Sequence, residues 1–584
     1  MRLVNCAIKT TKTRTMICPE SCKHQSSTHS PDVTAPDALF QQTVSTPRCS
    51  FLQHSPIVMK YTDTNLPSLP QASLPALVAA LAALVFLAFV GPQSAVGQTC
   101  YAVDSGNWEE NNTWSDTPDP STKGDCSVGF PSGTGEHAII NGFAVTVTVT
   151  DDGTNPKSPL IVGDVTLADA DLEIQEPGGR DPETILRSFD LKSLTMIDEN
   201  ININPFRVRV DLSNNTYGVD LTVRGKVDIN KVSGKAGLIR NTGDVGSLEV
   251  GTEGGSLTNQ GVINMGDGDL TVGNNGTAGN DVDVNSNGSI TIGNGSTFKV
   301  VRGSVTITNG TINTNDGTLE TELDFSIGSS GKFEGGDGVI KVGGNVSNSN
   351  EFRVGPGSTF RFTGASGSDQ TLSGTWSGNE SFSNVTVKAG AVVNPDNGMA
   401  NAVAIDGDLT IESGTPSENE GRYGETSGEG ASLVFGGATF NVQTDANNGD
   451  GKFFANNVTF GSDATVTGEL TLTGDLTVNS DLGQTGDFVF EGSGTQEISG
   501  TGNNLGQIQV QSITAVSGLL EIKNVFDLFE TKGIEVQSNA SFSTKVPTRL
   551  LGNFDTVAGS VVSFGTSATL EFNASGAELS LANP

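Results

Sequence analysis

From about residue 160 onward, hydrophobic and polar positions alternate with period two over very short runs, each opened by a glycine. Gly163-Asp-Val-Thr-Leu167, Gly268-Asp-Leu-Thr-Val272, Gly288-Ser-Ile-Thr-Ile292, Gly303-Ser-Val-Thr-Ile307, Gly407-Asp-Leu-Thr-Ile411 and Gly474-Asp-Leu-Thr-Val478 are instances of one phrase. Such alternation marks a strand with one buried and one exposed side, and the glycine cuts it off before it grows. Strands this short cannot bury enough surface alone, so they must stack on copies of themselves.

The spacing of strand centres points the same way. Thr271, Asp283, Thr291, Lys299 and Thr306 are separated by 12, 8, 8 and 7 residues. Three such steps make a coil of roughly 22 to 28 residues, within the period range of repeat folds. The expected fold is therefore all-β, a parallel β-helix or solenoid. Right-handed winding is expected because no strict six-residue left-handed pattern recurs. A string of antiparallel sandwiches is the competing fold, disfavoured because no Cys/Trp/Cys core pattern repeats.

A longer repeat appears in the second half. Phe360 to Gly374 and Phe488 to Gly500 share Phe-x-Phe-x-Gly followed by Gln-x-(Leu/Ile)-Ser-Gly, and a third copy begins at Leu570. Nineteen of the 28 phenylalanines lie from Phe325 onward, several at alternate positions, as expected of rings stacked between rungs.

The N-terminal part differs in kind. Residues 1–58 hold Cys6, Cys18, Cys22 and Cys49 and read as a non-native or disordered leader. Leu74 to Val90 form an apolar run closed by Ala95-Val96-Gly97, so residues 59–97 read as a signal peptide cleaved after Gly97, with translation starting at Met59. The run is shorter than the ~20 residues of a spanning helix, so no stable membrane insertion is expected after cleavage. Cys100 and Cys126 then remain as an even pair in an exported chain, which predicts a disulfide.

Residues 98–155 form a segment of their own: Ser105-Gly-Asn-Trp108, Asn112-Thr-Trp114, then Pro131-Ser-Gly-Thr-Gly-Glu136-His137, an apolar strand, Asn141-Gly142 and Val145-Thr-Val147. This order resembles the opening of secreted bacterial adhesin-like repeat proteins, and more loosely the eight-glycine domain at the head of some extracellular β-helix proteins. The resemblance implies a module that starts the solenoid and covers its first rung. Glu136 stands where such proteins usually carry Asp, and the interval around Cys126 is longer. Two solenoid sections are expected to follow, over residues 156–350 and 351–584; the long repeat of the second again resembles adhesin-like proteins.

Charge narrows the partners. With 66 acidic against 32 basic side chains the chain carries −34 at pH 7. That excludes nucleic acid and anionic membranes, which need clustered Lys and Arg. A solubilising surface accounts for the acidity; Ca²⁺ held by the outward pairs Asp169/Asp171 and Asp281/Asp283 is the sharper reading, although no Gly-Gly-x-Gly-x-Asp array is present. No cofactor is otherwise implied.

Few places offer other chemistry. His137 is the one histidine beyond the leader and has no Ser or Cys partner nearby in sequence. Arg207, Arg209 and Asp211 alternate onto one strand face and could contact a ligand, as a solvated face would also explain. Ser413 to Ser432 reads as a disordered interruption, with Arg422 and Tyr423 as the residues to test for binding. The function expected is an exported surface or matrix structural protein, secreted or at the cell surface, contacting polysaccharide or cell-surface components. The alternative is a polysaccharide lyase or glycoside hydrolase on the same scaffold, recognisable by Arg, Lys and carboxylates clustered in a cleft.

Overall fold

The computed structural model describes residues 98–580 save for loop stretches, the longest being 149–159, 176–188 and 198–208. The leader and signal-peptide expectations lie outside the described residues, as do Asp169 and Arg207. The described chain is all-β, about 2% helical, and its strands stack in parallel as a β-solenoid.

Each coil contributes three strands in succession, one to each of three faces. In one coil these are Asp269–Val272, Val282–Val284 and Ser289–Thr291; the next supplies Thr297–Val300, Val305–Ile307 and Thr311–Asn315. Thr271 pairs in register with Lys299 and Asp283 with Thr306, so three steps along the chain return to the same face. The first two faces merge into a 32-stranded sheet because Leu160–Ala168, Phe189–Ile197 and Ala464–Leu472 run around the corner and serve both. The third face holds a ten-stranded sheet, ending at Glu351–Arg353, and then an eight-stranded one, starting at Val403–Ile405. Between them Trp376 is buried, stacks on Phe382 at 4.5 Å, and accepts the amide of Ala404 on its carbonyl at 2.6 Å.

The apolar members of the phrase line the interior. Leu270, Phe298, Leu319, Ile340, Phe360, Val385, Leu409, Phe440 and Val466 follow one another in register on the first face and all are buried. Each such side chain contributes about 1.5–3 kcal/mol of burial. Phenylalanines stack between coils as expected: Phe333 lies on Phe352 at 5.5 Å, and Phe360, Phe362, Phe488 and Phe490 are all buried.

The glycine and the acidic residue of the phrase also have a structural task. Asn384 Oδ1 accepts the amide of Asp408 at 2.8 Å, and Asp408 Oδ1 accepts that of Thr439 on the next coil at 2.8 Å. Asp316 accepts Asp337, Asp337 accepts Gly357, Asp324 accepts Asn345, and Asn457 accepts Asp475 in the same way. Wherever this occurs before Asp337, Asn345, Asp408 and Asp475, the preceding residue is glycine, and a Cβ there would overlap the accepting oxygen. The turn amides that parallel strands leave unpaired are thus satisfied by the coil before.

The long repeat is explained by its glutamine. Gln370 is buried; its Oε1 accepts the amide of Gly364 at 3.0 Å, and its Nε2 donates to the carbonyls of Val342 and Gly344. Gln496 repeats the wiring with Gly492, Leu472 and Gly474.

At the N-terminal end, Thr99–Ala102 pairs in parallel with His137–Asn141 on one side and antiparallel with Trp114–Ser115 on the other. The antiparallel pairing covers an edge that would otherwise stay open. Trp108 and Trp114 are fully buried edge to face at 4.8 Å, and their indoles donate to the carbonyls of Pro131 and Trp108. Cys100 and Cys126, both buried, are joined in a disulfide.

The segment from Ser413 departs from expectation. Thr415 bridges Glu418, and Arg422–Tyr423 forms a strand between Val392–Pro395 and Lys452–Ala455. Two alternating residues are too few to stand out in a polar sequence, yet Tyr423 continues the buried column of Val393 and Phe453.

Candidate functional site

Outward positions on the second face bring together four charged residues from successive coils. Arg422 pairs in register with Lys452, and Glu469 with Asp487; the Phe453–Leu470 pair places Glu469 after Lys452 in the same column. The column runs from two cations to two carboxylates. Where the sign changes, a cleft of about 310 Å³ opens, lined by Asp450, Lys452, Phe453, Phe454, Glu469 and Asp487 among others. That volume lies at the small end of ligand pockets.

The cations are already engaged. Lys452 pairs with Glu420 at 2.6 Å, and the hydrogen bond it donates holds the Glu420 carboxyl below the ordinary carboxylate value. Arg422 lies over the Phe454 ring at 5.4 Å and its Nε donates to the carbonyl of Gly424. Glu469 behaves in the opposite way. Although the residue reaches solvent, partial burial of its carboxyl, then the charges of Asp487, Glu491 and Asp450, push it upward. A carboxyl raised in this way, in register with a second one on the adjacent strand, is the kind of group general acid chemistry uses.

Sequence reasoning reached only part of this site. Arg422 lies one coil from the cleft, as a half-buried residue. Tyr423 is not a ligand contact: it is buried, stacked at 5.3 Å on Phe453, and burial pushes its phenol up. Its ring points along the inward column, which is why a surface role is lost. Arg209 and Asp211 lie in the third-face strand Arg209–Ser213, far in sequence from the cleft and not in its lining. Asp281 accepts the amide of Ser304 and Asp283 the hydroxyl of Thr308, so the second of the two expected Ca²⁺ pairs bonds to the next coil. Glu469 and Asp487 were missed. Their signal was present, because Gly468-Glu-Leu-Thr-Leu472 and Gly486-Asp-Phe-Val-Phe490 carry the same phrase on consecutive coils.

Comparison of the chain with family models, curated proteins and solved structures finds no match. Among the described residues no helix is long and apolar enough to cross a membrane.

Proposed function

We propose that this protein is an exported structural β-solenoid, adhesin-like, that presents its outer faces to polysaccharide at or beyond the cell surface. The observation that carries the reading is the use made of polar side chains. Turn carboxylates and amides bind the next coil, buried glutamines bind the backbone, and Lys299, Lys388, Lys452 and Lys545 each pair with a glutamate of a neighbouring segment. Chemistry is spent on the stack. The Cys100–Cys126 disulfide agrees with an oxidising compartment.

A second reading, a glycoside hydrolase, is favoured by one feature: Glu469 and Asp487 in register on adjacent strands of a cleft. Incubating the full chain with a panel of neutral and uronic-acid polysaccharides separates the two. Binding without chain shortening is expected. Cleavage lost in both Glu469→Gln and Asp487→Asn would establish the enzyme instead, and eliminative cleavage would contradict the structural reading outright.

A further inference from the structure

The first face carries an outward column whose charge is opposite to that of the chain as a whole. Lys299, Glu320, Lys341 and Arg361 follow one another in register, and Thr386 continues the column. Glu320 is shared: Lys299 reaches it at 2.7 Å and Lys341 at 3.1 Å. Burial works against its ionisation, and the two lysine hydrogen bonds overcome this and hold the carboxyl low. One carboxylate thus serves two ammonium groups, and Arg361 stands beyond it.

Like charges directly opposite on adjacent strands are destabilising unless something lies between them. Lys341 and Arg361 are such a pair. Among the described residues no carboxylate pairs with Arg361, and its Nε is shut off from solvent without a hydrogen-bond partner. A desolvated guanidinium nitrogen is costly to leave unmet. The column therefore carries unbalanced positive charge at its Arg361 end, and because Nε is closed to solvent a carboxylate from outside would meet the terminal nitrogens of this half-buried side chain. A guanidinium accepts a carboxylate through two parallel hydrogen bonds, and an ammonium one rung away, ~4.8 Å along the stack, can hold a second oxygen or the next charge of a polymer.

The net charge of −34 decides which polymer. Duplex nucleic acid, with a charge every ~1.7 Å, would meet repulsion over most of its length. A polysaccharide bearing one carboxylate per sugar is far less densely charged than a duplex, and beyond about 8 Å at physiological salt the surrounding acidity is screened. Thr359 and Thr386, half-buried on the same face, offer hydroxyls to sugar oxygens.

We propose that Lys341 and Arg361 form an anion-binding pair on the first face that takes the carboxylates of a uronic-acid polysaccharide. This rests on the reading that the solenoid contacts polysaccharide, and it names both the place and the chemical class. The test is affinity electrophoresis of the full chain at about 0.15 M salt, where the surrounding acidity is screened, in gels containing polygalacturonate or, separately, neutral dextran. Polygalacturonate is expected to retard the protein and dextran not to. Arg361→Gln should weaken retardation on the order of tenfold, the size of one charge-assisted contact. Arg361→Lys, which keeps the charge and loses the fork, should weaken it less; thermal unfolding of both variants reports whether the fold is intact. Equal retardation by dextran, or a folded Arg361→Gln or Arg361→Lys variant that binds polygalacturonate as tightly as the wild type, overturns this site while leaving polysaccharide contact in place. Retardation by neither polymer overturns both.

Discussion

Asn384 and Asp408 occupy the same place on successive coils, and the side-chain oxygen of the first accepts the backbone amide of the second at 2.8 Å. Gly407 is required between them, because a Cβ at that position would overlap the same oxygen. Asn384→Ala should cost about 1–2 kcal/mol, since it removes this bond and the one its Nδ2 donates to the Ser358 carbonyl. Gly407→Ala should cost roughly 1–3 kcal/mol through overpacking. Combined, the two should cost less than their sum, since the oxygen that the new methyl would strike is gone; the Ser383 carbonyl keeps relief incomplete. A double-mutant cycle by chemical denaturation measures the coupling.

Gln370 donates to one coil and accepts from its own turn, so removing it orphans the buried Gly364 amide and takes a donor from the Val342 and Gly344 carbonyls, of which Val342 keeps the Thr363 amide. Gln370→Leu is expected to destabilise by roughly 2–3 kcal/mol. In a stack whose coils touch mainly their neighbours, the damage should stay local. Hydrogen exchange should accelerate around residues 342–374 and leave the coils near Gln496 unchanged.

Glu469 and Glu420 should give opposite pH dependences. The Glu469 carboxyl is raised by burial and then by Asp487, Glu491 and Asp450. As pH rises past the unfolded value, the unfolded chain releases that proton first, and the folded state loses stability until its own higher value is passed. Glu469→Gln should therefore raise the unfolding temperature at pH 7, with the gain vanishing toward about pH 4. The Glu420 carboxyl is lowered, chiefly by the Lys452 hydrogen bond. Its contribution exists above the unfolded value and is lost as pH falls through the folded one. Glu420→Gln should be slightly less stable at pH 7 and indistinguishable from wild type in acid, a small effect for a solvent-screened pair.

Tyr423 offers a test of the corrected assignment. Its hydroxyl is buried without a partner while its ring stacks on Phe453. Tyr423→Phe should leave stability unchanged or raise it by up to about 1 kcal/mol, and Tyr423→Ala should cost about 3–5 kcal/mol. Neither outcome depends on any ligand, and a Tyr423→Phe protein that folds as well but loses polysaccharide binding would contradict the core placement.

The solenoid was legible because one local rule, alternation cut by glycine, recurs at coil spacing; Thr271 and Lys299 were already recognisable as equivalent positions. The disulfide followed from there being just two cysteines beyond the leader. Three things were hidden for one physical reason, that they depend on which coil lies beside which. The carboxylate of Asp316 looks like solubilising charge until Asp337 is seen one coil on. The two-residue strand Arg422–Tyr423 is fixed by its neighbours Val393 and Phe453 rather than by its own sequence. The cleft exists because Lys452, Glu469 and Asp487 fall in one column across stretches of different length.

The central claim is that the glycine-led phrase is a stacking device, each Asx side chain clasping the next coil. Amide hydrogen exchange of the native full chain tests it most directly at Asp337, Asn345, Asp408 and Asp475, whose amides are bonded at 2.6–2.8 Å to the preceding coil although they lie in turns. The prediction is protection approaching that of the flanking strand residues, such as Leu409 and Leu476. Exchange at these four amides as fast as in an unstructured peptide, with the strands still protected, would contradict it.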